Sequence, residues 1–238
     1  LYDTPDRVRT EETRLKICGE TVQPLVEGAL YWPSKECLIV ADLHFEKGSS
    51  YAARGVHLPP YDTSATLNRL EELVARLKPA SVIALGDSFH DGEARARIAP
   101  ADAARITNLT TACVWTWIAG NHDPLPEGFG GMIAEEVRLG ALTFRHEPAP
   151  APATGEIAGH LHPCAVVRVR GRRLRRRCFA SDGTRMILPA FGAYTGGLNV
   201  CDVAYSDLFA GREFHAWMMG RDQIVPVSAG KLIPDRSL

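Results

Sequence analysis

Cys37-Leu38-Ile39-Val40-Ala41-Asp42-Leu43-His44 sets a short apolar run against two polar residues placed two positions apart. An unbroken apolar run of this length predicts a buried strand over Cys37–Ala41. At strand spacing, Asp42 and His44 then point to the same side. The pattern returns in Val82-Ile83-Ala84-Leu85-Gly86-Asp87, where the glycine lets the chain turn sharply and leaves Asp87 at a strand's C-terminal end. It recurs in Trp117-Ile118-Ala119-Gly120-Asn121-His122-Asp123, in Leu142-Thr143-Phe144-Arg145-His146 and in Ile157-Ala158-Gly159-His160-Leu161-His162. Each time polar groups follow immediately after an apolar strand.

Helical periodicity fills the gaps in the first half. Leu67, Leu70, Val74 and Leu77 recur at steps of three and four, which predicts a helix over Tyr61–Leu77 with Asp62 or Thr63 as its cap and Pro79 just beyond its end. Ser81–Leu85 and Val114–Ala119 read as strands and Ala101–Thr111 as a second helix, so the rhythm is that of an α/β sheet with parallel crossovers. Leu15–Cys18 and Ala29–Trp32 read as strands upstream, and Pro33-Ser34-Lys35 as a turn. Downstream, Val137–Arg145, Glu156–Ala158, Ala165–Val169, Met186–Leu188 and Phe214–Met218 read as strands with little helical pattern between them. The Ala/Pro stretch Pro148–Ala153 is too short for an interdomain linker. Residues 15–228 therefore read as a single domain, between a frayed segment 1–14 and a tail 229–238.

Composition excludes several classes. With 238 residues, 45% of them apolar, the chain can bury a core without disulfides or a structural metal. Its glycines have no collagen-like period, and it is too apolar for a disordered chain. The formal charge of −1 gives no global pull toward nucleic acid or membrane. No stretch approaches the roughly 18 apolar residues of a membrane span, and Leu1–Arg14 lacks the apolar core of a secretory signal. The six cysteines form no Cys-x-x-Cys pair, which suits reduced structural thiols in a cytoplasmic protein.

Loops beyond the carboxyl ends of strands form the binding crevice of open α/β sheets. Asp42, His44, Asp87, Asn121 and His122 would be delivered to one sheet edge, with His146, His160 and His162 arriving from the second half. Two carboxylates, one amide oxygen and four imidazoles suit divalent metals, and seven donors are more than one ion takes. Asp87 is the natural bridge. Two divalent ions would outweigh two carboxylates and leave positive charge for a bridging hydroxide and an anionic phosphate, which fits phosphate-ester hydrolysis better than metal storage.

Asp-x-His, Gly-Asp, Gly-Asn-His-Asp, a solitary His and Gly-His-x-His occur in this order from Asp42 to His162. In this the sequence resembles the calcineurin-like metallophosphoesterase superfamily. The resemblance implies a four-layer α/β/β/α sandwich of two mixed β-sheets flanked by helices. It implies one ion held by Asp42, His44, Asp87 and His162, and another by Asp87, Asn121, His146 and His160. His122 would be the loop histidine beside the substrate. Longer strings, such as Val40–Gly48, Ala84–Asp91, Arg145–Pro148 and Pro189–Gly197, look like the bacterial ligase-associated DNA damage response endonucleases. That narrower likeness implies DNA repair, alongside a DNA ligase, a helicase-like protein and an exonuclease.

The expected reaction is therefore in-line attack on a phosphodiester by a hydroxide bridging two ions, manganese in type, with iron or zinc also suited to these donors. His122 would act as acid or base toward the leaving oxygen, oriented by Asp123 or Asp91. His90 is either a further substrate contact or a loop histidine bonded to its neighbours, whereas His57 and His215 read as structural or exposed. Arg168, Arg170, Arg172, Arg173, Arg175, Arg176 and Arg177 crowd one hairpin, either for DNA phosphates or as an edge charged against aggregation. Gly192–Gly197 reads as a turn that could also approach a phosphate, and Lys47 and Arg54 as phosphate contacts or surface charges. A small-molecule phosphodiesterase or nucleotide pyrophosphohydrolase is the alternative enzyme, and a non-catalytic scaffold of the same fold the third reading.

Overall fold

Apolar runs punctuated by Gly and Pro turns build two sheets, described by a computed structural model for residues 13–56, 58–59, 61–123, 128–209 and 211–235. The first sheet runs β1 (Leu15–Ile17), β2 (Glu20–Pro24), β3 (Leu30–Trp32), β4 (Cys37–Val40), β5 (Ser81–Leu85), β6 (Val114–Ile118) and β7 (Met132–Ala134) in spatial order. β1 to β4 pair antiparallel; β4 to β7 pair parallel. The crossovers hold α1 (Lys47–Ala53) and α2 (Asp62–Leu77), then α3 (Ala94–Arg97) and α4 (Pro100–Ala112). Proline suits the first turn of α4, where its missing N–H costs nothing.

The buried strands alternate between two partners. Leu38, Val40, Val82, Ala84, Trp115 and Trp117 pack against Leu67, Leu70, Leu73, Ile106 and Leu109 of α2 and α4. Ile39, Ile83, Leu85 and Ile118 face the second sheet, meeting Phe144, Ile157, Phe179 and Met186. The expected cap residues of α2 do something else. Asp62 accepts from Gly48 N at 2.9 Å, and Thr63 bonds both the main chain and the carboxylate of Glu46, so they tie α2 to α1.

The second sheet contains β8 (Glu136–Leu139), β9 (Leu142–Arg145), β10 (Glu156–Ala158), β11 (Pro163–Val169), β12 (Arg172–Ser181), β13 (Arg185–Ile187), β14 (Leu198–Asn199), β15 (His215–Met219) and β16 (Ile224–Ser228). It is mixed, with β9, β10 and β13 parallel. The single strand expected over Val137–Arg145 is a hairpin, because Gly140 turns the chain at φ +59°. The two sheets stack face to face as the resemblance implies. The helices lie on the first sheet, and Tyr205, Leu208 and Phe209, in and after the 3₁₀ turn Val203–Tyr205, cover the outer face of the second. The chain after β16 closes on this face too, with Ile233 N donating to Val166 O.

Candidate metal centre

The parallel strands β4, β5 and β6 deliver their C-terminal loops to one edge, where the ends of β9 and β10 join them. Asp42, His44 and His162 bring ligand atoms within 4.8 Å of one another, and so do Asp87, His146 and His160. Asn121 joins the second group, its Oδ1 lying 2.9 Å from His146 Nε2 and 3.0 Å from His160 Nδ1. Asp87 lies between the groups: Oδ2 is 3.8 Å from His44 Nε2, and Oδ1 is 3.4 Å from His146 Nε2.

The convergence does not come from strand alternation, which is what the sequence suggested. β4 ends at Val40, and Asp42, His44, Asp87, His160 and His162 all adopt left-handed backbone, with φ between +44° and +68°. Extended residues two apart carry parallel side chains; left-handed residues swing them together. Each such residue costs roughly 1–3 kcal/mol and persists only where its surroundings over-determine it.

Backbone acceptors set the rings. Leu85 O, which can only accept, lies 2.9 Å from His146 Nδ1, so that nitrogen donates and Nε2 presents its lone pair to the centre. His44 Nδ1 lies 3.3 Å from His90 Nδ1, leaving His44 Nε2 toward Asp87. Burial and then the neighbouring His162 push the His44 pKa down to about 2; burial followed by Lys47 lowers His90 to about 4; burial and His146 lower His160. Each shift favours the neutral imidazole, the state in which His44 and His160 could ligate a metal.

A metal fits. His44 Nε2 and His162 Nε2 are buried without a hydrogen-bond partner, although the latter lies 3.2 Å from Asp42 Oδ1. Orphaned buried nitrogens next to two buried carboxylates are costly unless a cation satisfies both. Gly120 allows the approach: a Cβ there would collide with Asp87 N and Oδ1.

The remaining expected residues divide. His122 N donates to Asp87 Oδ1 at 2.9 Å, and its Nδ1 donates to His90 O at 2.8 Å. Among the described residues, neither Asp123 nor Asp91 is bonded to this ring; the carboxylate near it is that of Asp87, with Oδ2 4.0 Å from Nε2. Asp123 is buried and accepts from Ser88 N and Phe89 N at 2.8 and 3.0 Å, while Asp91 pairs with Arg97 at 2.6 Å. Burial first, with Asp87 adding to it, pushes Asp123 up to about 7. His90 stacks on His122 with ring centres 5.2 Å apart and 17° between planes. Tyr51 stacks on His90 at 6.0 Å, a contact without a sequence signal because α1 is short and carries no apolar period. His215 is in β15, outside the centre, and His57 lies outside the described residues.

The arginine hairpin is split. Arg173 donates to Pro234 O, Arg175 to Gly197 O and Asp235, and Arg177 to Ala190 O, Gly192 O and Thr195 O. Arg168, Arg170, Arg172 and Arg176 are exposed and, among the described residues, form no ion pair, whereas Arg175, also exposed, pairs with Asp235 at 3.3 Å. A cleft of about 680 Å³ between this hairpin and β15–β16, lined by Val167, Leu174, Met218 and Val225, contains none of the metal-site donors.

The family model for calcineurin-like phosphoesterases matches residues 37–175, from the first residue of β4 into β12. Fold and site together define a metal-dependent phosphoesterase, a hydrolase. The chain belongs to the calcineurin-like phosphoesterase family. It is similar to the solved Pseudomonas putida nuclease MPE, with 31% identity, a TM-score of 0.69, and coverage of 91% of this chain and 100% of that one. The E. coli phosphoesterase Yfce is 13% identical with a TM-score of 0.39, covering 82% of this chain and 98% of its own. No curated protein is similar enough to the chain to count as a match. Among the described residues, no helix is long and apolar enough to cross a membrane.

Proposed function

We propose that the protein is a two-metal phosphodiesterase that cleaves DNA, acting in bacterial DNA repair. The observation that carries the two-metal part is the Asp87 carboxylate, with one oxygen toward His44 and the other toward His146. Asp42, His44, Asp87 and His162 would hold one divalent ion, and Asp87, Asn121, His146 and His160 the other. Manganese is the expected metal, and iron or zinc suits the same donors. Ions bound there supply Lewis-acid activation of water and of the phosphoryl group.

The chain's own contribution lies around His122. Its Nδ1–H is committed to His90 O, so any proton exchanged with the leaving oxygen moves at Nε2, 4.0 Å from Asp87 Oδ2. His90 would hold His44 in register and flank the substrate. Similarity to a nuclease and the exposed Arg168, Arg170, Arg172 and Arg176 support DNA as the substrate. Residues 15–228 would form the catalytic domain of a cytoplasmic enzyme. Association with a DNA ligase, a helicase-like protein and an exonuclease belongs to the same reading.

A manganese-dependent assay run in parallel on bis-p-nitrophenyl phosphate, p-nitrophenyl phosphate and nicked or gapped DNA tests it. Diester and DNA cleavage are expected. Dominant monoester cleavage overturns the phosphodiesterase reading, and diester cleavage without DNA cleavage transfers it to small molecules.

A further inference from the structure

We propose that Arg177, with Arg69 behind it, is a positioning residue for Asp42 and thereby sets the affinity of one ion site; the inference rests on the two-ion reading above. Arg177 lies within β12; of the hairpin's other arginines, Arg173 turns to Pro234 O, Arg175 to Asp235 and Gly197 O, and the rest outward. Its Nη1 donates to Ala190 O at 3.0 Å, and its Nη2 donates to Thr195 O at 2.8 Å and Gly192 O at 3.1 Å. Arg69, from α2, donates to Phe191 O and lies with its guanidinium 4.7 Å from the Phe191 ring centre. Two cations therefore hold four carbonyls of a single loop.

Two N–H groups of this loop turn instead to the chain at Asp42. Phe191 N donates to Ala41 O at 2.8 Å, and Gly192 N to Asp42 O at 3.1 Å. Asp42 is the first ligand past β4 and stands at φ +53°, a conformation that needs outside support. The approach is close: a Cβ on Gly192 would lie 3.0 Å from Asp42 O and would strike Leu43 O. Ala193 N, donating to Thr66 Oγ1 at 3.1 Å, anchors the loop's next residue to α2.

Charge makes the support strong. Neither guanidinium forms an ion pair among the described residues, and burial lowers the pKa of both, with Arg177 adding to the effect on Arg69. Half-buried cations need hydrogen-bond partners, and these charge-assisted bonds to the loop supply them, with Glu27 adding a longer-range attraction for Arg69. A side chain spent in this way is not a DNA contact.

Manganese titration calorimetry and the Mn(II) electron paramagnetic resonance signal on Arg177→Gln, Arg177→Lys and Asp42→Asn test the proposal, with thermal melts alongside. Removing an outer partner of a metal ligand typically costs about 10–100-fold in metal affinity. Wild-type protein is expected to take up two ions. Arg177→Gln should weaken one of them at least tenfold, leaving a surviving step that overlays that of Asp42→Asn. Arg177→Lys keeps the charge without the fork, and should fall between wild type and Arg177→Gln; it carries the test if Arg177→Gln does not fold. Variants that bind both ions as wild type does, or lose both together in proportion to their melting temperature, overturn the inference alone. A wild type that takes up fewer than two ions overturns the two-ion reading and the inference with it.

Discussion

His122 donates its Nδ1–H to the main-chain oxygen of His90 across 2.8 Å, and an acceptor that cannot donate fixes the tautomer of the ring. Only Nε2 is left to meet substrate. Replacing His122 by Ala should lower turnover of bis-p-nitrophenyl phosphate by about 10²–10⁴-fold, the usual worth of a positioned acid or base. Metal content, measured by elemental analysis, should stay at the wild-type level. A variant that loses metal would make His122 a ligand.

Gly86 stands at φ +72°, and a Cβ there would lie 2.5 Å from the His146 ring. Gly86→Ala adds left-handed strain of roughly 1–2 kcal/mol to overpacking of roughly 1–3 kcal/mol. Denaturant midpoints should fall accordingly. The ring cannot be displaced without breaking its bond to Leu85 O, so metal uptake should fall as well.

Chelation should destabilise the protein. A ligand held at about 100 times its Kd contributes about 2.7 kcal/mol to stability. For a chain of this size each kcal/mol shifts Tm by about 2–4 °C. EDTA-treated protein should therefore melt roughly 5–10 °C below the manganese-loaded form in calorimetry, and added manganese should restore it. Equal melting temperatures would mean that no ion binds tightly.

The strand ends were legible in the sequence because an apolar run followed by Gly-Asp or Gly-His states both the burial and the break. Helix α2 was legible through Leu67, Leu70 and their repeats, and the members of the two candidate clusters through residue type and their places just after apolar strands. The backbone at those donors was not legible. Asp42 and His44 look extended on paper, since only glycine announces positive φ in a sequence, and Asp and His adopt it here under tertiary constraint. The acceptors that set His122 and His146 are main-chain oxygens of His90 and Leu85, and a carbonyl has no residue code. Arginine spacing likewise promised one charged face; the register of β11 with β12 divides it, turning Arg173, Arg175 and Arg177 toward carbonyls and leaving Arg172 and Arg176 on the other face.

That division predicts which arginines meet DNA. Serine at Arg168, Arg170, Arg172 and Arg176 should weaken binding at low salt. For every phosphate no longer neutralised, the plot of log affinity against log salt should flatten by about 0.7–0.9. Gel-shift titrations from 50 to 200 mM salt would show it, and an unchanged slope removes the hairpin from the interface.

Thiol reactivity should follow exposure. Cys201 is exposed, yet burial of its sulfur and the nearby Asp235 raise its pKa above the ordinary thiol value, and Cys178 is fully enclosed and raised further. A raised pKa keeps the thiolate scarce until pH climbs past that value. Iodoacetamide should label Cys201 slowly at pH 7.5 and faster with each step toward pH 9.5, with Cys178 reacting only after unfolding. Mass spectrometry of the labelled peptides reads both. Fast labelling of Cys178 in the native protein would contradict the packing of β12.

The donors are drawn from both sheets, Asp42 to Asn121 from the first and His146 to His162 from the second. A ribosome that stops before residue 146 has made every first-sheet donor and none of the later imidazoles. Such an unfinished polypeptide carries only part of the candidate centre, and the loop that braces Asp42 from residues 190–195 is still to come.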